Sequence, residues 1–129
     1  MIMSAKDKSD NINLLVVGLG GIGSQLTELI VPALDISGLN VELNLMDGDI
    51  VEDNNLAHQR FSSEDENSPK VEVLHQRYQR YDNVKTIAHN NNLTVQSQLE
   101  GYDIIVVAVD RQEPRNLVHS SDAHWVDLR

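Results

Sequence analysis

The chain has 129 residues, of which 20 are Asp or Glu and 10 are Lys or Arg, and its formal net charge is −10. This length suits a single domain around one core, and the charge argues against a nucleic-acid partner, because affinity for a phosphate backbone comes mainly from Lys and Arg. The lack of cysteine excludes disulfides, thiolate metal sites and thiol nucleophiles, and no apolar run approaches the roughly 20 residues of a membrane helix, so we expect a soluble, cytoplasmic protein.

The first third of the chain predicts a strand, a helix and a second strand. Residues 1–11 are polar and predict a disordered lead. Residues 12–18 are an almost unbroken run of β-branched and leucine side chains, which is typical of a strand buried on both faces. Residues 21–34 predict a helix, which Pro32 should kink or end early and which should bury Ile22, Leu26, Leu29, Ile30 and Ala33. Residues 41–47 predict the second strand.

The middle of the chain predicts a long loop and a second helix. Residues 48–61 indicate a loop with one helical turn, and we expect the acidic segment 62–68 to be the most mobile part of the surface. Ser68 and Pro69 suit the N-cap and the first position of a helix. That helix should continue to about residue 81 and bury Val71, Leu74 and Tyr78.

The last third of the chain repeats the alternation of strands and helices. The pattern predicts a strand at 83–89, a short helix at 94–101, a strand at 102–110, a helix at 113–121 and a strand at 124–129. Such alternation predicts a parallel sheet with right-handed crossovers. We therefore expect an α/β fold, a Rossmann-like doubly wound and mainly parallel sheet with helices on both faces, in one domain over residues 12–129.

Polar residues and glycines follow three of the predicted strands at the point where each strand ends. The first strand leads into the glycine-rich segment 18–23, the second ends at Asp47 and Asp49, and the fourth ends at Asp110. Ligands of open α/β sheets bind beyond the carboxyl ends of the strands. Three separate strands therefore deliver candidate site groups to one edge of the sheet.

The segment VGLGGIGS carries a G-x-G-x-x-G motif between a predicted strand and a predicted helix. Gly18 would permit the tight turn, Gly20 the close approach of a phosphate, and Gly23 the packing of the helix on the strand. The helix N-terminus then presents free amides and partial positive charge to an anion. Asp47 is placed to bind ribose hydroxyls, so the motif fits either a dinucleotide or ATP.

The segments after the glycine loop resemble those of the ubiquitin-activating-like superfamily, also called the HesA/MoeB/ThiF family. The family pattern is G-x-G-G-[IL]-G, then D-x-D-x-V-E-x-x-N-L-x-R-Q, then G-x-x-K, and finally a strand ending in Asp-Asn with Arg a few residues on. The resemblance covers residues 12–129. The matching positions are Gly18, Gly20, Gly21, Ile22, Gly23, Asp47, Asp49, Val51, Glu52, Asn55, Leu56, Gln59, Lys70, Asp110 and Arg115.

This resemblance implies an ATP-dependent adenylyltransferase that activates the C-terminal carboxylate of a ubiquitin-like protein, a sulfur-carrier protein or a peptide as an acyl-adenylate. It implies ATP and Mg²⁺ as cofactors and a homodimer as the working form. In that site the glycine loop holds the nucleotide together with Asp47, which binds the ribose, and Asp49. Asp110 holds the magnesium.

Three further residues are assigned to catalysis by the resemblance: Asn55, Gln59 and Lys70, which face the triphosphate. Attack of a carboxylate on the α-phosphate brings two anions together, so catalysis depends on positioning and charge neutralisation. Lys70 supplies a positive point charge, and the two amides supply neutral donors. Each residue also has a purely structural interpretation, since Asp47, Asp49 and Asn55 suit turns and Lys70 suits the solvated first turn of a helix.

The sequence departs from the family pattern at three places. His58 occupies the position of the family's Arg and lacks the guanidinium fork, although Arg60 lies two residues further on. NSPK replaces the usual glycine turn before the Lys, and Arg111 stands where Asn follows the Asp. We expect Arg115 to be structural, pairing with an acidic neighbour, and His119 and His124 to be surface or packing residues.

Two alternative functions remain open beside adenylyl transfer. The glycines and Asp47 alone also fit the NAD(P)- or FAD-binding Rossmann domain of an oxidoreductase. The His58 substitution and the short chain also fit a catalytically degenerate nucleotide-binding or scaffold subunit. Because adenylation domains of this family usually continue well beyond this length, we expect the chain to be a fragment of a longer protein.

Overall fold

The computed structural model describes residues 11–129, and these form one five-stranded sheet with helices on both faces. The predicted disordered lead, residues 1–11, lies outside the described residues except for Asn11, which begins the first strand. The strands are β1 (Asn11–Val17), β2 (Asn40–Met46), β3 (Val84–His89), β4 (Ile104–Val107) and β5 (His124–Asp127).

The strand order is β3-β2-β1-β4-β5, and every neighbouring pair is parallel. β1 lies at the centre and pairs with both β2 and β4, which explains its unbroken apolar run, because both of its faces are covered. Leu15 and Val16 point to opposite faces, and both are fully buried. The order reverses between β1 and β4, and this reversal is where doubly wound sheets open a ligand crevice. The predicted α/β, Rossmann-like fold is confirmed.

Three helices cover the sheet: α1 (Gly21–Ser37), α2 (Lys70–Arg77) and α3 (Gln112–His119). On one face, Val31 of α1 and Leu74 of α2 pack in a core with alternate residues of the strands. On the other face, Val118 of α3 packs with Ile105 and its neighbours. Short 3₁₀ turns complete the chain at Asp53–Asn55, Ser63–Asp65, Tyr78–Arg80 and Gln96–Leu99.

Helix α1 differs from its prediction in length and in buried face. It passes through Pro32 and continues to Ser37, where Gly38 ends it in the left-handed conformation with φ of 79°. Its residues in closest contact with the core are small or β-branched, namely Gly23, Ser24, Thr27 and Val31.

The predicted apolar face of α1 is confirmed for Leu26 and Ile30, which are partly buried against the core. It was wrong for Leu29, which is 74% exposed, and for Ile22 and Ala33, which are also exposed. The cause is the close approach of the helix to the end of β1 at Gly23. The small side chains of Ser24 and Thr27 therefore lie closest to the sheet, while Leu26 and Ile30 pack against the same core and stay partly exposed.

Helix α2 begins one residue later than predicted, with Pro69 before its first residue and no side-chain cap from Ser68. The predicted buried residues Val71, Leu74 and Tyr78 are confirmed. The Tyr78 hydroxyl lies 2.8 Å from Thr27 Oγ1, whose own hydrogen is donated to the Ser24 carbonyl at 2.9 Å. Tyr78 is therefore the donor, and burial raises the pKa of Tyr78 to about 12, which keeps this phenol protonated.

Removing the Tyr78 hydroxyl is expected to weaken the contact between α1 and the 3₁₀ turn that follows α2. The Tyr78→Phe variant should lose about 1 kcal/mol of unfolding free energy, the usual net value of a buried hydrogen bond, as measured by urea denaturation. Tyr81→Phe is the matched control, because the Tyr81 hydroxyl is bonded to the exposed Arg80. Equal stability of the two variants would contradict this role of Tyr78.

Among residues 11–129, no helix combines the length and the apolar character that a bilayer crossing requires.

Candidate functional site

A cleft of about 590 Å³ lies at the carboxyl ends of the strands, where the segments after β1, β2 and β4 converge. Its walls contain all but one of the residues that the sequence assigned to the site. These are Gly18, Gly20, Gly21, Ile22, Asp47, Asp49, Asn55, Gln59, Lys70 and Asp110. Residues far apart in the chain, from Gly18 to Asp110, thus meet around one cavity.

Gly23 is the one assigned residue outside the cleft lining, and its role is packing. A Cβ atom at Gly23 would lie 1.8 Å from the Gly18 carbonyl oxygen, which no side chain can occupy. Gly18 itself has φ of 97°, and a Cβ there would lie 2.5 Å from Val109 Cγ1. Both glycines are therefore required by the junction of β1, α1 and β4, before any ligand is considered.

Gly20 faces the cleft without any such packing constraint. A Cβ atom there would meet Gln59 Nε2 at 3.7 Å, which is an ordinary van der Waals distance. The protein's own packing thus leaves open space at Gly20, directly before the N-terminus of α1. Backbone exposed in this way at a helix start is suited to the approach of an anion.

Asp47 holds the glycine loop in place at the end of β2. The side chain is buried, and its Oδ2 accepts the Leu19 N–H at 2.7 Å while Oδ1 accepts the Asp49 N–H at 2.8 Å. Each carboxylate oxygen has a second lone pair that can still accept a hydroxyl. Asp47 is therefore a structural clamp that retains acceptor capacity at the wall of the cleft.

Lys70 is a nearly buried cation at the start of α2, with only 4% of the residue exposed. Its ammonium lies 3.9 Å from Asp49 Oδ2, and its backbone N–H donates to the Asp49 carbonyl at 3.1 Å. The Asp49 side chain is 69% exposed, so this distant ion pair compensates the Lys70 charge weakly. Lysine is rarely buried without a close partner, so this geometry favours an anion in the cleft.

Asn55 and Gln59 contribute amide groups from the segment between β2 and α2. Asn55 ends the 3₁₀ turn, and its Oδ1 accepts the Glu52 N–H at 2.8 Å. The Asn55 carbonyl accepts the Gln59 N–H at 2.9 Å, so a turn closed between these two residues fixes Gln59. Gln59 Oε1 is buried and has no hydrogen-bond partner within residues 11–129. A buried amide oxygen without a partner is uncommon and indicates a missing donor at this wall of the cleft.

Asp110 and Arg111 follow β4 on the opposite side of the glycine loop. Both side chains are exposed and line the cleft, and Arg111 immediately precedes α3. The described part of the chain holds no group of three His, Asp or Glu residues able to enclose a metal. Mg²⁺ commonly binds through one or two carboxylates plus substrate phosphates, so Asp110 fits a shared site of that kind.

Comparison of the sequence with protein-family models identifies the family of the chain. The ThiF family model matches residues 2–123, which is nearly the whole chain. The chain belongs to the ThiF family. No curated protein sequence gives a significant match.

Solved structures with a similar fold include those of MccB, TcdA and PaaA. E. coli MccB has 25% identity and a TM-score of 0.72, with 97% of this chain and 37% of MccB covered. E. coli tRNA N6-threonylcarbamoyladenosine dehydratase, TcdA, in complex with AMP, has 22% identity and a TM-score of 0.74, with 90% and 50% covered. PaaA has 22% identity and a TM-score of 0.66, with 84% and 33% covered. The chain thus spans between a third and a half of the length of these relatives.

MccB has also been solved with ligands. The structure with ATP has 29% identity to this chain and a TM-score of 0.66 over 91% of it. The structure with AMPCPP and MccA has 28% identity and a TM-score of 0.69. An oxidoreductase domain, the first alternative from the sequence, is not favoured by membership of the ThiF family.

Asn92 also lines the cleft, although the sequence motifs did not predict it. Its Oδ1 accepts the Gly48 N–H at 3.1 Å, and a Cβ at Gly48 would lie 2.8 Å from that oxygen. Leu93 and Met46 line the cleft nearby. The sequence did contain a signal for Asn92, because Asn90, Asn91 and Asn92 follow the carboxyl end of β3. Ligands of such sheets bind at the carboxyl ends of the strands, so the reasoning used for the other three strands would have predicted a contact here too.

The departures from the ThiF pattern fall at different distances from the cleft. His58 is exposed and does not line the cleft, although its carbonyl oxygen would lie 3.2 Å from a Cβ at Gly21. Arg60 lines a neighbouring depression with Glu28 and Arg77, and Gln59 lies in the walls of both. Arg111, by contrast, lines the cleft itself.

Arg115 pairs with an acidic neighbour, as predicted. Its Nε donates to Asp127 Oδ2 at 3.1 Å, and His119 Nε2 lies 2.8 Å from the same oxygen while its ring stacks on Trp125. Burial opposes ionisation of this carboxyl, but the hydrogen bonds from Arg115 and His119 outweigh burial and hold the pKa of Asp127 below its ordinary value. These contacts join α3 to the end of β5.

The lowered pKa of Asp127 predicts a pH-dependent contribution to stability. A carboxyl that is more acidic in the folded state stabilises the fold above its ordinary pKa of about 4, and this contribution disappears as the pH falls through the folded value. Urea denaturation should therefore show Asp127→Asn less stable than the wild type at pH 7, with the difference shrinking toward pH 2. The exposed Asp122→Asn is the control. A difference that is the same at both pH values would exclude this role.

Proposed function

We propose that this chain carries the ATP site of an adenylyltransferase and that its cleft binds ATP as the substrate of adenylyl transfer. The observation that carries the proposal is the nearly buried Lys70 side chain, which lines the cavity beside an open glycine loop and whose charge Asp49 compensates only weakly. A buried cation next to backbone amides at a helix start is the chemistry that recognises a polyphosphate.

The remaining residues of the cleft divide between the two ends of the nucleotide. Asp47 accepts the ribose hydroxyls with its free lone pairs, and Asp49 lies next to it and beside Lys70. Asn55 and Gln59 donate their amide hydrogens to phosphate oxygens. Gln59 fits this role because its Nε2, the donor of the amide, lies beside the open glycine loop, 3.7 Å from where a Cβ at Gly20 would stand.

Asp110 is the residue that would hold Mg²⁺, because it is an exposed carboxylate at the cleft and the polyphosphate completes such a site. The ion supplies charge neutralisation at the phosphate oxygens. The protein side chains, Lys70 above all, hold the chain of phosphates in one orientation along the glycine loop.

The reaction we propose is the transfer of AMP to a C-terminal carboxylate. A carboxylate oxygen attacks the α-phosphorus and forms a new P–O bond, the bond from the α-phosphorus to its bridging oxygen breaks, and pyrophosphate leaves. No proton changes hands and no enzyme nucleophile is needed. The negative charge that develops on the departing pyrophosphate is stabilised by Lys70 and by the amides of Asn55 and Gln59.

The solved structures of MccB with ATP and with MccA support the proposal that the chain binds ATP and a carboxylate acceptor. By analogy, the acceptor is the carboxyl end of a ubiquitin-like protein, a sulfur-carrier protein or a peptide. The homodimer implied by the family resemblance is part of the proposal, and sedimentation velocity at increasing protein concentration tests it.

ATP–pyrophosphate exchange tests the proposed reaction directly. With a ubiquitin-like protein, a sulfur-carrier protein or the MccA peptide as the carboxylate, the wild type should incorporate labelled pyrophosphate into ATP, and Lys70→Ala and Asp110→Ala should abolish this. Exchange that survives both substitutions would contradict the assigned residues. ATP binding with no exchange for any acceptor would favour a degenerate scaffold subunit.

A further inference from the structure

We propose that Arg111 supplies the guanidinium that binds the polyphosphate in this protein, in place of the family's Arg whose position is taken by His58. This inference rests on the proposed function, because it assigns a residue to the same ATP site. It comes from the position of Arg111 in the wall of the cleft, which includes neither His58 nor Arg60.

The charge of the cleft gives the first reason. Five ionisable side chains line it, three of them carboxylates and two of them cations, Lys70 and Arg111. The cleft therefore has a net negative charge before any ligand binds, and a triphosphate adds several more negative charges. Binding of the triphosphate requires both cations close to its phosphates. Lys70 has Asp49 at 3.9 Å, whereas Arg111 has no carboxylate within salt-bridge distance among residues 11–129.

The topology of the sheet gives the second reason. The glycine loop follows β1, which lies between β2 and β4. Lys70 reaches the cleft from the β2 side, where its backbone bonds to Asp49, and Arg111 reaches it from the β4 side. The two cations therefore lie on opposite sides of the loop, where a polyphosphate resting on the loop would be held from both directions.

The backbone at Arg111 is well supported for this role. Arg111 is the residue directly before α3, with φ of −72° and ψ of 143°, and the helix is packed through the buried Pro114 and Arg115. Several other arginines of the described chain are engaged elsewhere: Arg77 with Glu28 and Asp65, Arg80 with Tyr81, and Arg115 and Arg129 with Asp127. Arg60, like Arg111, has no carboxylate partner among residues 11–129, but Arg60 lines the neighbouring depression and Arg111 lines the cleft itself.

A guanidinium is suited to this position because it binds two phosphate oxygens in parallel and stays charged at any pH near neutrality. It would also neutralise the pyrophosphate as its charge develops. A lysine at the same position keeps the charge but loses the paired geometry. The Arg111→Lys variant therefore separates the two contributions.

The test is calorimetric titration of the wild type, Arg111→Ala, Arg111→Lys and Arg60→Ala with ATP–Mg²⁺ and with adenosine. Arg111→Ala should weaken ATP binding about tenfold or more, the effect of losing a charge-assisted contact, and leave adenosine binding unchanged. Arg111→Lys should fall between the wild type and Arg111→Ala. Arg60→Ala should bind both ligands as the wild type does.

The outcomes separate this inference from the proposed function on which it rests. If the wild type binds ATP–Mg²⁺, Lys70→Ala weakens it and Arg111→Ala does not, the Arg111 assignment is overturned and the ATP site stands. Equal loss of ATP and adenosine affinity in Arg111→Ala also overturns it. If the wild type binds no ATP, both proposals fail together.

Discussion

Replacing Gly23 with alanine is expected to lower the free energy of unfolding by about 3 kcal/mol or to prevent folding, the upper range for forcing an atom into a packed site. The added Cβ would lie 1.8 Å from the Gly18 carbonyl oxygen, so α1 must move away from the end of β1. Because this contact sets the rotation of α1, the damage should extend to the buried Thr27 and Val31. Urea denaturation measures the loss.

Gly20→Ala is the matched control for that substitution, three residues earlier in the same loop. Its Cβ would meet Gln59 Nε2 at an ordinary 3.7 Å, so the unfolding free energy should change by less than about 1 kcal/mol. The same Cβ projects where a phosphate is proposed to rest, so ATP affinity should fall. A Gly23→Ala protein as stable as Gly20→Ala would contradict the packing role of Gly23.

Replacing Lys70 with methionine is expected to reduce ATP affinity about 100-fold, the effect of losing a strong charge-assisted contact of about 3 kcal/mol. Methionine keeps most of the apolar volume, and removing a poorly paired buried charge should leave the free energy of unfolding unchanged or raised. Titration with ATP–Mg²⁺ and urea denaturation of the same variant measure the two effects separately.

The control for Lys70→Met is Lys85→Met, on an exposed position of β3. Its ATP affinity should match that of the wild type, since Lys85 does not line the cleft. Destabilisation of Lys70→Met with intact ATP binding would show that Lys70 is a structural residue of α2 rather than a ligand of the polyphosphate.

The sheet could be predicted from the sequence because its strands are short segments rich in β-branched and other apolar residues, bounded by polar segments. Strands β1 and β2 came within one residue of their predicted ends: β1 carries an almost continuous apolar run, and β2 alternates apolar residues with Glu42 and Asn44. The order of the strands follows from right-handed crossovers and short connections. The site followed from the same logic, because the ends of parallel strands share one edge.

The orientation of α1 could be predicted only in part from its apolar pattern, which placed Leu26 and Ile30 against the core as observed. Large apolar residues at helical spacing usually mark the buried face, but here Leu29 and Ile36 are exposed and Gly23 and Thr27 face the core. The deciding contact is between backbone atoms of Gly18 and Gly23, and backbone proximity leaves no trace in hydrophobicity. The end of α1 was also predicted too early, because Pro32 was expected to kink or end the helix. The helix continues through Pro32 to Ser37, and the packing of α1 along its length stabilises it there.

Two aspects of the cleft also depended on the three-dimensional structure. Arg111 lines the cleft and Arg60 lines the neighbouring depression because of where α3 and the segment before α2 lie on the sheet. Asn92 could have been predicted from its position after the carboxyl end of β3. It was missed because it lies outside every motif of the family resemblance.

Titration of the chain with ATP–Mg²⁺ in parallel with NAD and NADP is the most direct test of the proposed ATP site. We predict saturable binding of ATP–Mg²⁺, weakened by Lys70→Met and by Gly20→Ala but not by Lys85→Met, and no comparable binding of either dinucleotide. Binding of NAD or NADP in place of ATP, or ATP binding that is indifferent to Lys70 and Gly20, would contradict it.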